Sequence, residues 1–326
     1  MRAIAVVLLA LVVWGMYAAL SELLARHPVT WRDLTQWTPA PAPLLGSLVL
    51  LVGVYGAHAL LWRRIMQDLG IASPALASTL RVYFVSALAR YVPFVKLGQL
   101  VGLAVLARRA GLPPVSATAA AVLGQFGFLT TGLIFLGITL PAAAAGAVDV
   151  PVALPLMVGA MLLVGSAAAL WLLVATPLGH GFRAALTRRF RGRMRDKLGA
   201  AFELADRVRP LMALTWAVAY ALTWLLLALA FVTFVGAFFP AAWQDARLVA
   251  GTVAAAYLLG YLFFVVPAGV GVRETVMIAL LQLIMPLSAA IVITVASRVW
   301  FTVAELIPLA ALPLVKSEPL QEREAG

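Results

Sequence analysis

Two short stretches carry charge where the surrounding chain is apolar. The first is Arg90-Tyr91-Val92-Pro93-Phe94-Val95-Lys96-Leu97-Gly98-Gln99, and the second is Val266-Pro267-Ala268-Gly269-Val270-Gly271-Val272-Arg273-Glu274. Arg81, Arg298 and Glu305 add three more ionisable groups in or beside apolar segments. A charge near a bilayer centre costs about 2.5–3.5 kcal/mol on insertion scales, so each is a functional candidate by default. Proline removes a backbone donor and glycine admits positive φ, so Pro93, Pro267, Gly269 and Gly271 mark places where a helix stops and turns. A helix restarting there points unused N–H groups and the positive end of its dipole into the gap. With Arg90, Lys96 and Arg273 beside it, such a gap suits an anion, and the anion native to that depth is a lipid phosphate.

Spacing restricts the ion pairs. Arg273 and Glu274 are adjacent, so on one helix they point about 100° apart and do not face each other. Arg298 and Glu305 share a helix face but lie about 10 Å apart along its axis. Glu274 with Arg298, and Arg273 with Glu305, are the expected contacts. Arg90 and Lys96 have no acidic partner in view. Two alternatives stay open: Arg81 and Arg90 snorkel to the membrane interface, and Lys96, Arg273 and Glu274 form a structural ion-pair network.

Other chemistry is sparse. His27, His58 and His180 are scattered without a carboxylate cluster, which indicates no metal site and no cofactor. His58 falls inside an apolar segment and is expected to be a hydrogen-bonded packing residue rather than a proton relay. Gln99, Gln125 and Gln282 read as interhelical glue, although Gln99 and Gln125 flank the first stretch. Gly269-Val270-Gly271 lacks the third glycine of a dinucleotide fingerprint, and no phosphate-loop or nucleophile-elbow pattern occurs.

The elements that must position these residues are membrane helices. Of 326 residues, 64% are hydrophobic and 11% charged, against about 25% charged in a soluble domain. That composition excludes a soluble enzyme, a disordered chain and a nucleic-acid reader. A spanning helix needs about 20 apolar residues. Residues 3–24, 43–62, 115–140, 152–175, 210–238 and 287–313 qualify, the first as an uncleaved span rather than a signal peptide. The segments 74–109 and 246–285 are broken by the two charged stretches. The expected architecture is therefore an all-α polytopic membrane protein with about six full spans and two broken or re-entrant helix pairs. The halves, about 40–140 and 210–313, would form an inverted repeat within one transmembrane domain, 1–314, with a cytoplasmic tail at 315–326. Corresponding interruptions in two halves are the sequence mark of a transporter site.

The net charge of +11, from 24 basic and 13 acidic residues, supplies orientation. With a cytoplasmic N-terminus and each broken pair returning to its starting side, sixteen bases lie inside and only Arg26, Arg32 and Arg247 outside. Nine of the sixteen fall between Arg183 and Arg209, where apolar residues recur every four positions and predict a basic amphipathic helix on the inner leaflet. Cysteine and asparagine are absent, which excludes disulfides and N-glycosylation.

These same residues carry a family resemblance. Leu88 to Pro93 with Lys96, Gln99 and Ala107-Arg108-Arg109-Ala110-Gly111-Leu112 resembles the first signature of the lysylphosphatidylglycerol synthase transmembrane-region family. Leu259-Gly260-Tyr261, Val266 to Glu274 and Ser297-Arg298-Val299-Trp300 are similar to its second. The chain departs at Phe94 and Ala268, where the family has glycine, and at Gln125, where a glutamate is frequent. The resemblance implies a flippase-like module, here a stand-alone member without the cytoplasmic synthase domain of larger relatives. The expected function is transport between leaflets of an anionic-headgroup lipid, whether phospholipid, aminoacyl-phospholipid or polyprenyl-linked glycolipid. The site would comprise Arg90, Tyr91, Pro93, Lys96, Gln99, Pro267, Gly269, Gly271, Arg273, Glu274, Arg298 and Glu305. The alternatives are a membrane-embedded transferase acting on a lipid-linked substrate, or a scaffold for a separate cytoplasmic lipid-modifying enzyme. The expected setting is the bacterial cytoplasmic membrane, with no nucleic-acid partner.

Overall fold

A computed structural model describes residues 30–71, 75–88, 107, 114–144, 179–189, 192, 195, 199, 202–204, 206–262 and 271–311. Among them the regular elements are all helical: α1 (Trp31–Thr35), α2 (Pro41–Asp68), α3 (Leu76–Leu88), α4 (Pro114–Ala144), α5 (His180–Arg188), α6 (Pro210–Phe238), α7 (Ala246–Leu262), α8 (Val272–Leu281) and α9 (Leu287–Ala311), with a 3-10 turn at Pro240–Trp243. Four of these, α2, α4, α6 and α9, are long and apolar enough to cross a membrane, and α7 is a shorter apolar helix. The expected spans at 3–24 and 152–175 lie outside the described residues, as does the tail.

Helix starts follow local chemistry. Pro41 and Pro210 open α2 and α6, where the missing N–H would have had no intrahelical partner. Helix α1, which the sequence did not announce, is set by a capping box: Asp33 N donates to Thr30 Oγ1 and Thr30 N donates to Asp33 Oδ2. The Thr30 hydrogen bonds hold the Asp33 carboxyl below its usual range. Hydroxyls inside the spans fold back on their own helix. Thr131, Thr139, Thr223, Thr252, Ser297 and Thr302 each donate to a carbonyl three or four residues earlier, which satisfies them without water.

Helices α2 and α6 form the central pair and run antiparallel. Ala40 N donates to Ala237 O (2.8 Å) at one end, and Trp216 Nε1 donates to Asp68 Oδ2 (2.8 Å) at the other. Asp68 also pairs with Arg64 (3.0 Å), which carries α2 six residues beyond the apolar stretch that ended at residue 62. Helix α4 runs parallel to α6. The fully buried Trp224 indole stacks on Phe128 at 4.5 Å and donates to Phe128 O (2.8 Å), in space left by Gly132. Helix α7 lies antiparallel to α4, with Gly251 against Thr139 and Leu140, and Tyr257 edge-on to Phe128 at 5.5 Å. Helix α9 runs parallel to α2, tied by Trp37 Nε1 to Ser288 Oγ (3.1 Å) and by Tyr55 to Glu305. Trp37 also meets Phe239 at 5.8 Å, so the end of α6 and the start of α9 share one end of the bundle. The basic segment contributes the helix α5, as its pattern predicts.

Candidate functional site

The second charged stretch reappears as the start of α8. Gly271 is its N-cap at φ +85°, a backbone conformation that a side chain resists, so glycine is required at this position. Having no side chain, Gly271 supplies only half a capping box: its N–H donates to Glu274 Oε2. The other Glu274 oxygen accepts from Arg298 Nε on α9. Glu274 thus closes the helix start and locks α8 to α9, with both side chains largely covered. One turn on, Ser297 Oγ meets Met277 Sδ at 3.6 Å along the same seam.

Arg273 sits differently from the expectation. Its guanidinium lies between two rings, 4.9 Å from the Tyr257 centroid on α7 and 4.8 Å from the Phe301 centroid on α9. Glu305 is 2% exposed and accepts from Tyr55 Oη at 3.0 Å. Of the two pairings that spacing suggested, Glu274–Arg298 forms and Arg273–Glu305 gives way to an aromatic sandwich on one side and a tyrosine on the other. Phe301 and Glu305 lie one turn apart on the same side of α9, about 6 Å along its axis: the ring takes the place beside Arg273, and the carboxylate one turn on meets Tyr55 of α2. Tyr55 in turn meets Phe84 of α3 edge-on at 6.4 Å, so the helix leading to the first charged stretch abuts the residue holding Glu305.

Depth follows from helix rise. Tyr257 and Phe301 lie about 16 and 21 Å along their helices from the end marked by Trp37 and Ser288, at about 1.5 Å per residue. A hydrocarbon core is about 30 Å thick, so a helix end set at its boundary would bring Arg273 well inside it. The guanidinium carbon thus lies over two aromatic rings, one on α7 and one on α9. Nη2 is buried and has no hydrogen-bond partner among the described residues. A planar fork with a free donor is suited to a phosphate or carboxylate oxygen.

The site residues thus divide. Gly271, Arg273, Glu274, Arg298 and Glu305 come together at the junction of α8, α9 and α2. Arg90, Tyr91, Pro93, Lys96, Gln99, Pro267 and Gly269 lie outside the described residues. Arg81 is exposed on α3. Gln125 is half-buried on α4, and its amide nitrogen has no hydrogen-bond partner among the described residues. His58 Nε2 sits 3.2 Å from Thr223 Oγ1, and the ring packs edge-on to Phe128 at 4.7 Å. That is the arrangement of a packing histidine. Among the described residues no group of three or more His, Cys, Asp or Glu could hold a metal.

Three residues of this junction escape a reading of charges alone. Tyr55 carries a faint signal, a phenol in mid-span that needs a buried partner. Tyr257 and Phe301 carry none beyond being aromatic.

No curated protein and no solved structure matches the chain significantly. The family description "Lysylphosphatidylglycerol synthase TM region" matches residues 2–307, nearly the whole chain. With its apolar helices it is an integral membrane protein, and it belongs to the lysylphosphatidylglycerol synthase TM region family.

Proposed function

We propose that the protein carries an anionic-headgroup lipid between the leaflets of a bacterial cytoplasmic membrane, with both termini cytoplasmic, and is a transporter rather than an enzyme. The single observation that carries this reading is the Arg273 guanidinium, held among apolar helices with a buried Nη2 that has no hydrogen-bond partner among the described residues. An intramembrane base has a large desolvation cost, and a lipid phosphate that pairs with it offsets that cost. Arg90 and Lys96 would meet the same phosphate from the first half, while Glu274, Arg298 and Glu305 fix the second.

Packing supports alternating access. Exchange α2 with α6, α3 with α7, and α4 with α9. The α2·α6 contact maps onto itself, α4·α7 onto α9·α3, α4·α6 onto α9·α2, α6·α7 onto α2·α3, and α2·α4 onto α6·α9, and all of these contacts occur. Since α2 and α6 are antiparallel, two such halves are inverted with respect to each other, the arrangement that lets one site face either side by rocking. Helix α7 leaves from the end of α6, and α8 ends at the start of α9, which fits a pair re-entering the side it left.

Purified protein in proteoliposomes tests the reading. R273A, and R273A combined with K96A, should lower translocation of a labelled anionic phospholipid at least tenfold while the folded fraction is unchanged. Undiminished translocation by folded R273A/K96A would overturn the assignment.

A further inference from the structure

Arg273 is placed by a slot that its own helix does not provide. A Cβ built on Gly260 of α7 would lie 2.4 Å from Arg273 Cγ and 2.9 Å from Cδ, far inside contact distance. The methylene stem of Arg273 therefore lies directly on the α7 backbone, and only a glycine leaves the room. One turn back on α7, the Tyr257 ring lies with its centroid 4.9 Å from the guanidinium carbon, and the Phe301 ring of α9 lies 4.8 Å from it. Stem and head are thus fixed by three residues on two helices. Without them the side chain would have several free torsions and would lose entropy on gripping a ligand.

We infer that Gly260, Tyr257 and Phe301 are positioning residues: they hold the Arg273 fork in one plane, so that the site selects an oxyanion presented edge-on and requires a guanidinium rather than an ammonium. The effect on ligands rests on the reading of Arg273 as a headgroup ligand, whereas the slot itself does not. Lysine has no planar fork to clamp and stacks more weakly, so R273K should behave like R273A in headgroup selection.

A double-mutant cycle separates the two layers. The proteins are wild type, G260A, R273A and G260A/R273A, purified as full chains. The first measurement is the thermal unfolding midpoint in detergent. Alanine is a better helix former than glycine. G260A should lower the midpoint with Arg273 present and raise it once Arg273 is alanine, a reversal of sign. Equal shifts in both backgrounds overturn the slot, whatever the protein binds. The second measurement is the affinity for phosphatidylglycerol relative to diacylglycerol, which lacks the phosphate. G260A, Y257L and F301L should each lower that preference about fivefold, and Y257F and F301Y, which keep a ring, should retain it. A merely structural role would move both lipids together. If the wild type shows no preference for phosphatidylglycerol, the headgroup reading falls while the stability cycle still decides the slot. If the preference survives G260A and Y257L but not R273A, the reading stands and the positioning role falls.

Discussion

Glu305 is the most deeply buried carboxylate among the described residues, in the last turns of a helix long and apolar enough to span. A buried ion without partners costs several kcal/mol, so what faces it matters more than its presence. It faces the phenol of Tyr55, itself 6% exposed, across the junction of the two halves. Removing that hydroxyl takes a donor from a buried acceptor, a loss of about 1–3 kcal/mol. Tyr55→Phe should therefore lower the thermal unfolding midpoint clearly, while Phe84→Leu, which touches only the ring, should lower it less. Equal effects would show that ring packing rather than the hydrogen bond matters at Tyr55. Glu274 shows a second use of a carboxylate: one oxygen closes the α8 start at Gly271, and the other takes Arg298. This leaves Arg273, its neighbour in sequence, to be managed by aromatics.

At the scale of elements, helices in lipid gain little from apolar burial alone and depend on close packing and interhelical hydrogen bonds. The α4–α6 contact shows both. Gly132 leaves a gap, the Trp224 indole fills it, and its Nε1–H closes on Phe128 O. A Cβ on Gly132 would come within 2.3 Å of a ring that is stacked, hydrogen-bonded and fully buried, so the ring cannot step aside. Gly132→Ala should destabilise by about 1–3 kcal/mol. Trp224→Phe in the same background should recover part of that loss, as urea or thermal unfolding in detergent can show; an undisturbed midpoint in the single variant would contradict the close fit. The α2–α9 contact is joined instead by a phenol and a carboxylate, Tyr55 and Glu305.

For the whole molecule, orientation rests on the excess of bases expected on one face and on the direction of the helices. Asp68 and Trp216 lie at one end of the central pair, and Ala40 and Ala237 at the other. The first end adjoins the basic segment through Arg207, whose guanidinium reaches Leu69 O at 3.4 Å. Since the chain has no cysteine, single substitutions can be labelled cleanly. Arg188→Cys should react with a membrane-impermeant maleimide only in inside-out vesicles, and Gln36→Cys only in intact cells. The reverse pattern would invert the topology and move the second helix pair to the cytoplasmic side.

Composition and hydropathy determined the membrane class, four of the spans to within a few residues at most ends, the helix start at Gly271 and a helix within the basic segment. These are local properties: apolar length against bilayer thickness, proline and glycine against helix continuity, and four-residue recurrence against a surface. The Glu274–Arg298 pair was also legible, because charges in apolar segments are few and spacing left little choice. The partners of Arg273 and Glu305 were not. Which ring covers a guanidinium, and which hydroxyl reaches a carboxylate, depends on the rotation of α7, α9 and α2 about their own axes. Two glycines of α7 take part in setting it: Gly251 lets α7 come close to Leu140 of α4, and Gly260 makes room for the Arg273 stem. Sequence could therefore determine that buried charge marks the site. Only the tertiary structure decided that aromatic faces and a glycine slot, rather than a second ion pair, hold the central arginine, because those contacts join helices whose relative rotation no local pattern encodes.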